Sequence, residues 1–289
     1  MERLEDYKIY LSDKDKSENT INGYMNDLKL FIDWYDGEIK DITKSDIKEY
    51  INYLHCIGAT VTTINRKMVS IRGYIDFLNE MYQQGILIKI PSLTIANQNF
   101  IEDLLENQDV IRIIRAAERD LSTKHRKKAL RTITAIYTLY YTGTRISEAL
   151  QIKVNDINKD SIVICGKGKK YREILLPKRL KEQLKLYLSE RDENKSKFLF
   201  VGQRGTVTRQ TIYRDIKEYA GKARGIDKSK VTPHAFRHLY AKNLADLQVP
   251  PVVISQLLGH RLTITGLYMQ VSKKDLLKII NKLNLKKEG

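Results

Sequence analysis

Over its first 84 residues the chain repeats apolar side chains at the alternating three-and-four spacing of amphipathic helices. Ser17 to Tyr35 carries Ile21, Tyr24, Met25, Leu28, Phe31, Ile32 and Tyr35 at that spacing, and Thr60 to Gln83 carries Ile64, Met68, Ile71, Ile75 and Leu78. A short helix is predicted over Glu2 to Leu11. Another is predicted over Thr43 to Leu54, opened by Thr43 and Asp46 at the spacing of a capping box. Between Gly85 and Asn107 the helical period stops, at Pro91 and a polar Asn97-Gln98-Asn99 segment. The pattern therefore predicts an all-α domain over 1–97, a linker over 98–106 and a larger domain over 107–289.

In the second part the period changes twice. Helices are predicted from Asn107 to Arg119 and from Thr123 to Tyr141, the latter ended by Gly143. Ser161 to Cys165 and Tyr171 to Leu176 then read as short strands flanking Gly166-Lys167-Gly168-Lys169-Lys170, the pattern of a hairpin. Helical spacing returns over Lys178–Glu190, Arg209–Ala223, Pro233–Leu247 and Val253–Leu258. A last amphipathic piece spans about 273–285, with Leu276, Leu277, Ile280 and Leu283 as its apolar stripe. The fold class is mainly α with a small β-sheet.

Composition narrows the function classes. No apolar run in the 289 residues approaches the ~18–20 needed to span a bilayer, and the N-terminus lacks a basic segment leading into an apolar one. A cytoplasmic protein without a membrane partner is expected. Cys56 and Cys165 are too few for a disulfide framework. The net charge of +16 is unevenly spread: residues 1–100 hold 12 basic against 15 acidic side chains, and residues 101–289 hold 39 against 20. A basic excess confined to one region needs a polyanion to offset its self-repulsion, which points to nucleic acid, although a solvated basic surface has the same composition.

Thr232-Pro233-His234-Ala235-Phe236-Arg237-His238 is the segment richest in candidate chemistry. Thr232 suits an N-cap and Pro233 the first helical position, so His234 falls in an opening turn whose free N–H groups favour an anion. Arg237 follows on the same side, while Phe236, Tyr240, Leu244 and Leu247 are expected to face the core. His234 and His238 imitate a zinc-binding pair, but position 235 is Ala where a general-base Glu would stand and Arg237 would repel a metal, so no metal or other cofactor is expected. Arg145 opens a further helix with Glu148 three residues on, Lys167 stands between glycines at the hairpin tip, and His260 ends Leu257-Leu258-Gly259-His260. Each alone is ordinary: a paired surface arginine, a solvated lysine, a helix-end histidine. Tyr268, one of 17 tyrosines, is alone no more than a core residue.

Together and in order, these pieces resemble the active-site boxes of the tyrosine site-specific recombinases, the phage-integrase and Xer group: Thr142-Gly-Thr-Arg-Ile-Ser-Glu148, Gly166-Lys-Gly168, His234-Ala-Phe-Arg237, Leu257-Leu-Gly-His260 and Tyr268. Asn19-Thr-Ile-Asn-Gly-Tyr24 and Thr63-Ile-Asn-Arg66, followed by Ile71-Arg-Gly-Tyr74, resemble the four-helix core-binding domain of Xer-type members. His260 and Tyr268 are eight residues apart, one fewer than is usual in the Xer pattern. The resemblance implies that Tyr268 is the nucleophile, Arg145 and Arg237 clamp the scissile phosphate, His234 and His260 complete the site, and Lys167 protonates the leaving oxygen. It further implies a double-stranded DNA recombination site as partner and a homotetramer on two such sites. The C-terminal helix would dock in a neighbouring subunit, and a need for accessory DNA-binding proteins stays open. Arg66, Lys67 and Arg72 are candidate DNA contacts, although a solvated helix face explains them equally.

A chain beginning directly with the core-binding domain favours a Xer-like recombinase or transposon-encoded resolvase over an arm-binding phage integrase. Two other readings share the scaffold. A type IB topoisomerase uses the same residue types as a monomer, and the terminal apolar stripe argues against it. A non-catalytic DNA-binding regulator would have no reason to keep all six residues.

Overall fold

The computed structural model describes residues 3–94, 104–165, 171–192, 196–203, 205–259 and 273–283. The chain divides into two compact units, Met1–Asn99 and Phe100–Gly289. No helix among the described residues is long and apolar enough to cross a membrane.

The first unit comprises α1 (Leu4–Asp13), α2 (Glu18–Trp34), α3 (Lys44–Cys56) and α4 (Val61–Tyr82). The helix starts are those the sequence marks: Ser17 and Thr60 cap α2 and α4, and Thr43 and Asp46 form a reciprocal capping box at α3. Tyr7, Leu28, Phe31, Tyr50, Leu54, Ile64 and Phe77 form the centre of the core. Loss of helical period after α4 does not free the chain. The Asn79 side chain donates to the Ile86 carbonyl at 3.0 Å and accepts from its N–H at 2.7 Å, and Asn65 makes the same pair with Leu93. An amide side chain has the donor and acceptor of a peptide, so each Asn stands in for a strand partner and seats Ile86 and Ile90 on the core.

The second unit is built round α6 (Arg126–Thr142), which packs against α5 (Asn107–Glu118), α8 (Lys178–Glu190), α9 (Arg209–Lys222) and α10 (Pro233–Asp246). A helix buried on nearly all sides must satisfy its polar side chains internally. Thr132, Thr134, Thr138 and Thr142 do so by donating to the carbonyl four residues back. A short helix, α7 (Ile146–Leu150), follows, then β1 (Ser161–Cys165) and β2 (Tyr171–Leu175), paired antiparallel with Ile162 opposite Ile174 and Ile164 opposite Arg172. β3 (Val201–Gly202) and β4 (Gly205–Thr206), too short for a periodic signal, make a second ribbon. α11 (Pro251–Leu258) and α12 (Lys273–Asn281) complete the order.

One expectation changes. Leu247 is exposed, because α10 ends at Asp246 and the face predicted to bury it stops one residue short. The terminal stripe is turned inward on its own unit. Leu276, Ile280 and Leu283 are buried, α12 lies beside β2, and the Asn281 side chain accepts from the Lys178 N–H at 3.3 Å. In the single chain the seat expected in a neighbour is thus filled in cis.

Candidate active site

The site forms where α6, α10 and α11 end or begin close together. α6 stops at Gly143, whose φ of +59° suits glycine, and a Cβ there would lie 2.4 Å from the Tyr240 ring. The next turn is locked by Thr142, whose hydroxyl lies 2.9 Å from that of Thr144 and accepts from the Thr144 N–H. That turn delivers Arg145 to the N-cap position of α7. Glu148, 5% exposed, accepts from the Arg145 N–H and from Nη1, both at 2.9 Å. The carboxylate thereby fixes one edge of the Arg145 guanidinium, while the side chain stays 46% exposed.

α10 begins as the sequence indicates, with the Thr232 hydroxyl accepting from the Ala235 N–H at 3.1 Å and Pro233 in the first turn. His234 is exposed at that N-terminus. Arg237 does not project beside it into solvent. It is buried, and its guanidinium donates to the Gly143 carbonyl at 2.7 Å and the Leu258 carbonyl at 2.9 Å. One side chain thus ties the C-terminal ends of α6 and α11, and Arg145 stands two residues beyond the first of those carbonyls. Burial, followed by the charge of Arg145, lowers the Arg237 pKa to about 10, so it stays a cation at neutral pH. Partial desolvation against the helix end also lowers the pKa of the otherwise exposed His234, followed by the charges of His238, Arg237, Arg145 and Arg209, which favours neutral imidazole there.

The structure therefore brings Arg145, His234 and Arg237 together. Lys167, His260 and Tyr268 lie outside the described residues. Tyr240, the nearest alternative nucleophile in sequence, is sealed in the core, and its phenol is pushed well above its ordinary pKa by burial. Sequence reasoning passed over Arg172 and Arg209. Arg172 on β2 donates to Glu148 at 3.0 Å, and Arg209 opens α9. Arg172 carried a signal: it shares a strand face with buried Ile174, a position where an arginine is anomalous. Among the described residues no three His, Cys, Asp or Glu side chains gather as a metal site.

The DNA-contact candidates of the first unit have partners inside that unit. Lys67 is buried with its ammonium 3.2 Å from the buried Asp27 carboxylate, which also pairs with Arg66 and accepts from Ser70 at 2.9 Å. Arg72 donates to the Ile90 carbonyl at 2.7 Å. Lys67 is thus a buried counter-charge rather than a solvated one. Arg66 keeps about half of its side chain exposed, at 51%.

A cationic cluster holding two fixed guanidiniums, a neutral imidazole and a single shared carboxylate is suited to a phosphodiester, whose nonbridging oxygens gain charge during transfer. Comparisons with known proteins agree. The model of the phage integrase family matches residues 103–275, and that of the phage integrase N-terminal SAM-like domain matches residues 4–81. The chain is 31% identical to tyrosine recombinase XerA of Pyrococcus furiosus, across 98% of this chain and 94% of that one. It is 28% identical to the TnP I resolvase of Bacillus thuringiensis, across 84% and 86%. The fold is that of a lambda integrase tetramer solved on a Holliday junction, with a TM-score of 0.68 at 18% identity, covering 93% of this chain and 76% of that one. The chain belongs to the phage integrase family and is a tyrosine recombinase, a site-specific enzyme that breaks and rejoins DNA.

Proposed function

We propose that this recombinase cleaves duplex DNA at a specific site through a 3′-phosphotyrosyl intermediate, with Tyr268 as nucleophile. Arg145 and Arg237 bind the nonbridging oxygens of the scissile phosphate. The Tyr268 oxygen bonds to phosphorus, the bond from phosphorus to the 5′-oxygen breaks, and that oxygen takes a proton from the Lys167 ammonium. A phenol near its free pKa of ~10 is a poor nucleophile, so its proton passes to a neutral imidazole of the His234–His260 pair. Attack by another strand's 5′-hydroxyl reverses the step, so the bond energy is kept and no nucleotide cofactor is consumed. The observation that carries this reading is the convergence of Arg145, His234 and Arg237 at the end of α6.

The residues 1–97 serve as core-binding domain and 107–289 as catalytic domain, joined by 98–106, and both act on cytoplasmic DNA. Four copies act on two sites through a Holliday junction, with the terminal helix passed to a neighbour. The test is a nicked suicide substrate that traps the covalent complex, followed by peptide mapping. Attachment at Tyr268 supports the proposal; attachment elsewhere, or no adduct, overturns it.

A further inference from the structure

We propose that Arg172 is a positioning residue for the reaction: through Glu148 it holds the Arg145 guanidinium ready for the phosphate. The inference rests on the reading of Arg145 as a phosphate clamp.

Glu148 is buried and both of its oxygens accept hydrogen bonds. Oε1 accepts from Arg145 Nη1 at 2.9 Å, and Oε2 accepts from the Arg145 N–H at 2.9 Å and from Arg172 Nη2 at 3.0 Å. A buried carboxylate shared by two guanidiniums is balanced between them. With Arg172 gone, its whole charge would act on Arg145 and draw that side chain off the face it offers to DNA. Arg172 thus keeps Arg145 oriented yet incompletely neutralised.

The position of Arg172 is itself built. It lies on the inward face of β2, opposite Ile164, and its Nε is buried with no hydrogen-bond partner among the described residues. The far end of Arg172 lies against Gly259, where an added Cβ would fall 2.0 Å from Nη1 and 2.6 Å from Cζ. Gly259, with φ +68°, closes α11 immediately before His260. One side chain therefore spans the strand that follows the Lys167 loop, the carboxylate behind Arg145, and the helix end before His260. Desolvation opposes its charge, and the Glu148 carboxylate supports it.

The test is a double-mutant cycle in single-turnover cleavage of a suicide substrate, with DNA affinity and thermal melting measured alongside. Arg172→Ala is expected to slow cleavage at least ~10-fold while Kd changes less than ~3-fold, and Arg172→Lys, which keeps the charge without the planar fork, to fall between. In an Arg145→Ala background, either Arg172 substitution should slow cleavage less than ~2-fold further, because a residue acting through Arg145 has nothing left to position. Arg172→Lys carries the cycle if Arg172→Ala does not fold. Wild-type cleavage by the Arg172 variants, or equal slowing with and without Arg145, overturns the proposal. Normal cleavage by Arg145→Ala alone would instead overturn the clamp reading on which it rests.

Discussion

The Arg237 guanidinium donates a 2.7 Å hydrogen bond to the carbonyl of Gly143, the residue that closes α6 two positions before Arg145. The two arginines proposed to bind the scissile phosphate are therefore not equivalent. Arg237 is a buried strut whose hydrogen bonds hold two helix ends, whereas Arg145 is half exposed and leans on Glu148.

That asymmetry predicts how the two lose function. Arg145→Ala and Arg237→Ala should each slow cleavage by roughly two to three orders of magnitude, the cost of removing one donor to a developing oxyanion. Arg237→Ala should destabilise the fold the more, by about 2–4 kcal/mol, because it leaves the Gly143 and Leu258 carbonyls buried without their donor, whereas in Arg145→Ala the Glu148 carboxylate keeps the residue-145 N–H and Arg172. Urea denaturation of both variants beside single-turnover cleavage distinguishes the roles. Equal stability loss in the two would contradict the strut.

His234 should titrate below the ordinary histidine value of about 6.5, because partial desolvation and the charges of His238, Arg237, Arg145 and Arg209 oppose its protonation. The sign follows directly: the fold favours neutral imidazole, so its contribution to stability is present above pH ~6.5 and is lost as pH falls through the lowered value. Arg145→Ala removes one opposing charge and should move the midpoint up. Following the imidazole proton shift by NMR from pH 4 to 8 in both proteins checks it, and a midpoint unmoved or lowered by Arg145→Ala would be the wrong result.

Asp27 gives a test in the first unit. Lys67→Met should cost stability, about 1–3 kcal/mol, since Arg66 and Ser70 still satisfy part of the buried carboxylate. It should leave DNA affinity and its salt dependence unchanged. Arg66→Ala should weaken binding and reduce the salt slope by about one unit if its exposed half meets a phosphate. The same gel-shift titration across salt concentrations reads both.

The contrast between Lys67 and the helix caps marks what the sequence could reveal. Thr43, Thr60 and Thr232 act on N–H groups within three residues, so local spacing locates them, and the element order of both units follows the apolar period closely. Partners distant in sequence are invisible to spacing. Nothing near Lys67 announces Asp27, nothing near Arg237 announces the Gly143 carbonyl, and Arg172 meets Glu148 only through tertiary packing. The strap at 84–94 was missed for a related reason: its order comes from Asn65 and Asn79 on α4, while its own residues carry no period.

The terminal helix offers the last test, since the structure seats in cis a stripe whose expected place was a neighbour. Leu276, Ile280 and Leu283 are buried, but an element of nine residues with so few buried side chains recovers little beyond the entropy of ordering it. Such a seat is weak enough to be vacated when another is offered. Ile280→Asp places a carboxylate on the most deeply buried position of the stripe and should undock α12. The variant is expected to lower the melting temperature by only a few degrees, because α6 and its neighbours keep their core. Trypsin should then cut faster after Lys278 and Lys282. On DNA it should bind one half-site normally and lose cooperative filling of a full site, since the proposed seat in a neighbour would take the same apolar face. A melt, a proteolysis time course and gel shifts on half and full sites measure the three effects. Global unfolding would make α12 an integral part of the core, and retained cooperativity with α12 undocked would remove it from the contact between subunits.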